Sequence, residues 1–157
     1  ELWFGIIGTG SWCENRNGIK KFFSFSQRKD IAELIIVSSE NHKELKLQNL
    51  LARMNFAKTK TIGSVGCKVA SILRGESDVY ISLSGKTFPK DWDMAAPHAV
   101  IQAAGGAFTH ANETDLIYQT SNFSQQGCLI ASHGLSHQKI CKKAIEILSE
   151  DEPDYIV

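Results

Sequence analysis

The residues best placed to do chemistry fall in one stretch, residues 90–106, which reads Lys-Asp-Trp-Asp-Met-Ala-Ala-Pro-His-Ala-Val-Ile-Gln-Ala-Ala-Gly-Gly. The pattern is a loop that delivers a carboxylate onto the start of a helix. Asp91 or Asp93 can cap the orphan backbone N–H groups there, and Pro97 is expected in the first turn, where a missing N–H costs little. Val100, Ile101 and Ala104 then supply an apolar stripe, which Gly105-Gly106 ends. A carboxylate so placed is either an N-cap or a metal ligand held on a rigid element, and its oxygen donors suit Mg2+.

Two other segments carry candidate groups. Gly63-Ser64-Val65-Gly66 leads from a short strand into a helix, and Lys68 lies on its first turn. The helix-start N–H groups, the Ser64 hydroxyl and the Lys68 ammonium can converge on one anion, although a solvated lysine on an amphipathic helix has the same spacing. Ser38-Ser39-Glu40-Asn41-His42 directly follows an apolar run, and in an open α/β sheet the loop at the carboxyl end of a strand is where ligands sit. His42 is therefore a candidate substrate contact, while Asn41 with Glu44 three residues later also reads as a helix cap. His133, His137 and Cys141 are spaced four apart, but Gly134 separates the first from its helix and no fourth ligand is evident, which argues against zinc. Gly8-Thr9-Gly10-Ser11 has no helix pattern after it and reads as a tight bend in a strand, not a phosphate loop.

Trp92-Asp93-Met94-Ala95-Ala96, with Ile101 and Ala104-Gly105-Gly106 at fixed spacing, resembles the second signature of the lithium-sensitive, magnesium-dependent phosphomonoesterases of the inositol monophosphatase superfamily. The resemblance extends to residues 2–12, 38–42, 63–80 and 106–132, and within the superfamily it is most like the bacterial 3'(2'),5'-bisphosphate nucleotidases. It implies Mg2+ as cofactor with Asp93 as a ligand, and His42, Ser64 and Lys68 as substrate contacts. It also implies removal of the 3'-phosphate of 3'-phosphoadenosine 5'-phosphate, or alternatively hydrolysis of an inositol monophosphate. The Glu-Glu pair and the Asp-Pro-x-Asp signature of the superfamily's upstream half do not occur here. The expectation is accordingly a C-terminal domain over residues 1–157, catalytically incomplete by itself, whose partner is the missing N-terminal half. A reading from another class is a non-catalytic binding or dimerisation module.

The elements that must position these groups follow from composition and periodicity. A chain of 157 residues is one domain's worth. Its 17 basic and 17 acidic residues cancel, so no long-range field recruits nucleic acid or an anionic membrane. No apolar run reaches the length of a membrane span, and four scattered cysteines suit a reducing compartment, so the expected location is the cytoplasm. Residues 2–7 and 19–25 read as strands joined by an Asn-Gly hairpin turn, and residues 32–37 as a buried strand. Leu47, Leu50, Leu51 and Met54 mark one helix, Val69, Ile72 and Leu73 a second that Gly75 stops, and Ile140, Ala144, Ile147 and Leu148 a last one over residues 136–149. Further strands are expected at 60–62, at 78–83 with one face buried, at 107–109 with an antiparallel return at 115–118, and at 129–132. The order predicts an α/β fold with a mixed sheet layered with helices, the C-terminal domain of an inositol monophosphatase/fructose-1,6-bisphosphatase-like sandwich. The face toward a missing half would expose apolar surface and favour a homodimer.

Overall fold

Two short runs rich in β-prone apolar and aromatic residues at the start of the chain pair into a small antiparallel sheet. β1 (Leu2–Ile6) lies against β2 (Gly10–Glu14), with Leu2 opposite Glu14 and Ile6 opposite Gly10, and β3 (Lys20–Lys21) adds to the other edge of β2. The computed structural model describes residues 1–39, 45–84, 88–119 and 121–151. The hairpin expected between runs 2–7 and 19–25 is thus replaced by two hairpins. The first turns at residues 7–9; the second uses the Asn15 side chain, which accepts from the N–H groups of Asn17 and Ile19 at 2.9 and 3.0 Å. Residues 22–29 leave the sheet altogether, because their polar groups bond elsewhere. Arg28 and Ser26 donate to the carboxylate of Asp78, with Arg28 Nε at 2.7 Å and Nη2 at 3.0 Å.

The main sheet holds β4 (Ile35–Ser38), β5 (Lys58–Thr61), β6 (Val79–Leu83), β7 (Ala107–His110) and β8 (Cys128–Ser132) in the order β5-β4-β6-β8-β7. β4 pairs parallel with β5 and β6, and β8 pairs antiparallel with β6 and β7, so the sheet is mixed as its sequence predicts. Two helices, α1 (Leu45–Met54) and α4 (His137–Asp151), cover one face, where Leu47, Leu50, Met54, Ile140 and Ala144 pack on Ile36, Val79, Ile81 and Ile130. The other face carries α2 (Val65–Leu73) and α3 (Asp91–Ala103), whose Val69, Ile72, Met94 and Ile101 meet Val37, Tyr80, Phe108 and Leu129. α3 also packs against the small sheet. A Cβ on Gly5 would sit 2.7 Å from Val100 Cα, so only glycine lets β1 approach the helix this closely. The layers are therefore small sheet, α2 with α3, main sheet, and α1 with α4.

Three other expectations need correction. β6 was expected to bury one face, but all five of its residues are buried, because helices cover a central strand on both sides. The antiparallel return at 115–118 shrinks to an isolated bridge between Thr109 and Asp115, since the segment beyond it is drawn toward α3. Residues 31–33 form a single 3-10 turn, so the strand expected at 32–37 starts only at Ile35. His137 is fully engaged within the fold: Nδ1 lies 2.9 Å from Ser132 Oγ, and Nε2 2.8 Å from Thr109 Oγ1. No group of three or more metal-ligating side chains occurs among the described residues.

Candidate active site

The carboxyl ends of β4 and β6, the start of α2 and the start of α3 meet at one end of the main sheet. At α2, Ser64 is the N-cap: its Oγ accepts from the Cys67 N–H at 3.1 Å, satisfying one orphan donor of the first turn. Lys68, one turn on, is only 2 % exposed. Its Nζ donates to the Gly63 carbonyl at 2.7 Å and to Ser39 Oγ at 3.4 Å, and lies 5.1 Å from the centroid of the Tyr80 ring. Burial pushes the Lys68 pKa down, because a desolvated ammonium is disfavoured.

At α3 the two aspartates that capping chemistry leaves interchangeable have different fates. Asp91 is buried; its oxygens accept from the Gln119 N–H at 2.7 Å and from Gln125 Nε2 at 2.6 Å, which anchors the loop before β8. The N-cap is Lys90, whose side chain makes no cap bond and instead donates to Ser124 Oγ at 2.5 Å. Asp93 is exposed, and no hydrogen bond or ion pair among the described residues holds its carboxylate. Pro97 lies inside the helix, beyond the first turn, so the Asp93 carbonyl four residues earlier lacks its usual N–H partner.

Ser39, Ser64, Lys68, Tyr80, Ser82, Phe88 and Asp93 border a single cavity of about 320 Å3. Three of the four expected site residues, Ser64, Lys68 and Asp93, are thereby brought together; His42 lies outside the described residues. Larger cavities occur elsewhere among the described residues. One of about 510 Å3 between α2 and α3 is mainly apolar, and its charged groups Glu1 and Arg74 are paired with each other at 3.0 Å. Another, of about 550 Å3, is bordered by His110, Asp115 and Gln125 but by no lysine or arginine. Neither offers an anion a cation that lacks a carboxylate partner.

Tyr80 and Phe88 border the site without having been singled out, and Ser39 comes from the 38–42 segment expected to face ligands. Tyr80 and Ser82 share one face of β6 by strand alternation, a signal present in the sequence once that face is known to meet α2. Phe88 carries no such signal. Chemically, the cavity offers an exposed carboxylate for a hard cation and a buried ammonium with a capped helix start for an anion.

The sequence matches the profile of the inositol monophosphatase family over residues 1–149. The chain is 30% identical over 152 residues to inositol monophosphatase 3 of Xenopus laevis, covering 92% of this chain and 41% of that protein. It is 29% identical over 96 residues to 3'(2'),5'-bisphosphate nucleotidase 1 of Dictyostelium discoideum, covering 59% of this chain and 29% of that one. Among solved structures, an IMPase/NADP phosphatase complexed with Mg2+ and phosphate superposes with a TM-score of 0.64 at 20% identity, over 88% of this chain and 48% of the other. The chain thus spans well under half the length of the curated relatives it matches.

Proposed function

Since the chain belongs to the inositol monophosphatase family, we propose that the 320 Å3 cavity is one wall of a phosphomonoesterase active site. The observation that carries this reading is the pairing, at one small cavity, of a free carboxylate, Asp93, with a buried ammonium, Lys68, that no described carboxylate neutralises. In the proposal Asp93 is a ligand for Mg2+. Its unpartnered oxygens on a helix start fit a hard cation, but one carboxylate is too few, so the remaining ligands come from an N-terminal half of the protein, to which this chain is the C-terminal domain. Mg2+, when bound, supplies charge neutralisation for the phosphoryl group and lowers the pKa of a water.

Within this chain, Lys68 and the Ser64 helix start hold the phosphate that is not transferred, and His42, outside the described residues, is a third contact on the family resemblance alone. Their role is alignment: a dianion fixed at one end of the substrate places the ester at the other. The preferred substrate is 3'-phosphoadenosine 5'-phosphate. Phe88, half-exposed at the cavity, gives a purine an aromatic face that a polyol uses poorly, which favours the nucleotide over an inositol monophosphate.

Asp93→Asn in the full-length protein is expected to abolish Mg2+-dependent phosphate release while leaving thermal melting unchanged; retained turnover removes Asp93 from the metal site. Lys68→Ala is expected to raise KM for the adenosine bisphosphate about tenfold or more, and to affect the inositol ester less. Equal effects on both esters would count against the pocket assignment. An intact protein that releases phosphate from neither ester would instead favour the non-catalytic module.

A further inference from the structure

Three neutral groups hold Lys68. Among the described residues its Nζ touches the Gly63 carbonyl, the Ser39 hydroxyl and the face of the Tyr80 ring, and it forms no ion pair. Each of them stabilises a cation without cancelling its charge. A carboxylate in any of these places would hold the ammonium more firmly but would leave it little attraction for a phosphate.

The three are not equally rigid. Gly63 and Ser39 lie outside the regular elements, whereas Tyr80 is on the central strand β6, is 4 % exposed, and packs edge-on against Phe108 at 6.3 Å and 78°. Its phenol sits close enough to Ser82 and Asp93 to feel both, and burial pushes its pKa up, so the ring stays neutral. Tyr80 therefore supplies the fixed surface of the cradle.

We infer that Tyr80 is a positioning residue: its ring face sets the Lys68 ammonium at the cavity wall, so that the substrate's phosphate meets an aligned cation whose charge is still free. This rests on the phosphomonoesterase reading above, in which Lys68 meets the phosphate that is not transferred. The ring face, not the hydroxyl, is the working part.

The test uses the full-length protein with Mg2+ and adenosine 3',5'-bisphosphate. Tyr80→Phe, which keeps the ring, is expected to hold KM within about twofold. Tyr80→Leu, which removes it, is expected to raise KM about tenfold with kcat changed less than about threefold, and to add nothing in a Lys68→Met background. A KM increase of the same factor in both backgrounds would mean that Tyr80 acts through the fold alone, and an unchanged KM would also overturn the inference. Should Tyr80→Leu fail to fold, pentafluorophenylalanine placed at position 80 keeps the ring's shape and removes its negative face; it is expected to raise KM as Leu would, and a KM like that of Tyr80→Phe would overturn the inference. If the unsubstituted protein hydrolyses neither this ester nor inositol monophosphate, the phosphomonoesterase reading fails by itself. The same variants are then compared for calorimetric binding of inorganic phosphate, where a Lys68-dependent weakening supports the role of Tyr80, and Lys68-independent weakening or no binding overturns it.

Discussion

Lys68 sets anion affinity against stability. Its ammonium is buried without a described counter-charge, and burial holds its pKa below the usual 10.5. Between that lowered value and 10.5 the unfolded chain binds the proton and the folded chain releases it, so stability contributed at this site rises as pH climbs through the window. Lys68→Met, a side chain of similar length, is expected to be more stable at neutral pH by about 1 kcal/mol and to lose that alkaline rise, as read by urea denaturation at several pH values. A less stable variant would show that the cradle of Gly63, Ser39 and Tyr80 more than offsets desolvation. The sequence placed Ser64 and Lys68 correctly at a helix start, because capping and spacing are local. Capping chemistry alone could not separate Asp91 from Asp93, which only the family resemblance did: both lie in the same turn, and what buries Asp91 is Gln125, 34 residues away.

Among the elements, the segment 22–29 acts as a strap across the amino-terminal end of β6. Asp78 is fully buried and accepts from Arg28, from Ser26 and from the Ile35 N–H at 2.6 Å, tying strap, β4 and β6 together. Because Arg28 is about one-third exposed, the pair is partly screened. Asp78→Asn is expected to cost about 2–3 kcal/mol in chemical denaturation, with Arg28→Leu costing less; the reverse order would place the main contribution in the guanidinium. The four helices and the buried strands were legible, since each repeats its apolar residues at helical spacing or runs them together. The strap was not. Residues 22–25 are as β-prone as a strand, and only the bonds made just after them, to an aspartate 50 residues further on, explain why they leave the ladder. β2 was missed for the opposite reason, its first residues Gly10 and Ser11 reading as a bend.

Across the whole molecule, His98, His110, His133 and His137 all have their pKa lowered by burial. An unfolded chain binds protons on these rings as pH falls below about 6.5, while the folded chain resists, so stability is lost on acidification from that value downward. The urea midpoint is expected to fall between about pH 7 and pH 5, and a flat profile would contradict the shared direction. Among the described residues no helix is long and apolar enough to cross a membrane. The layered α/β architecture was readable from element order, but the position of α3 between two sheets was not, because it depends on Gly5 admitting Val100. The two sheets also end differently. β5 closes one side of the main sheet with Lys58 and Lys60, charges that discourage a neighbouring chain. The outer rim of β1, Leu-Trp-Phe-Gly-Ile, has no paired strand among the described residues and no such guard, and Leu2 and Ile6 are exposed beside Ile7. If copies of this chain cluster at high concentration, growth should nucleate from that rim, and a lysine introduced there should keep the solution clear.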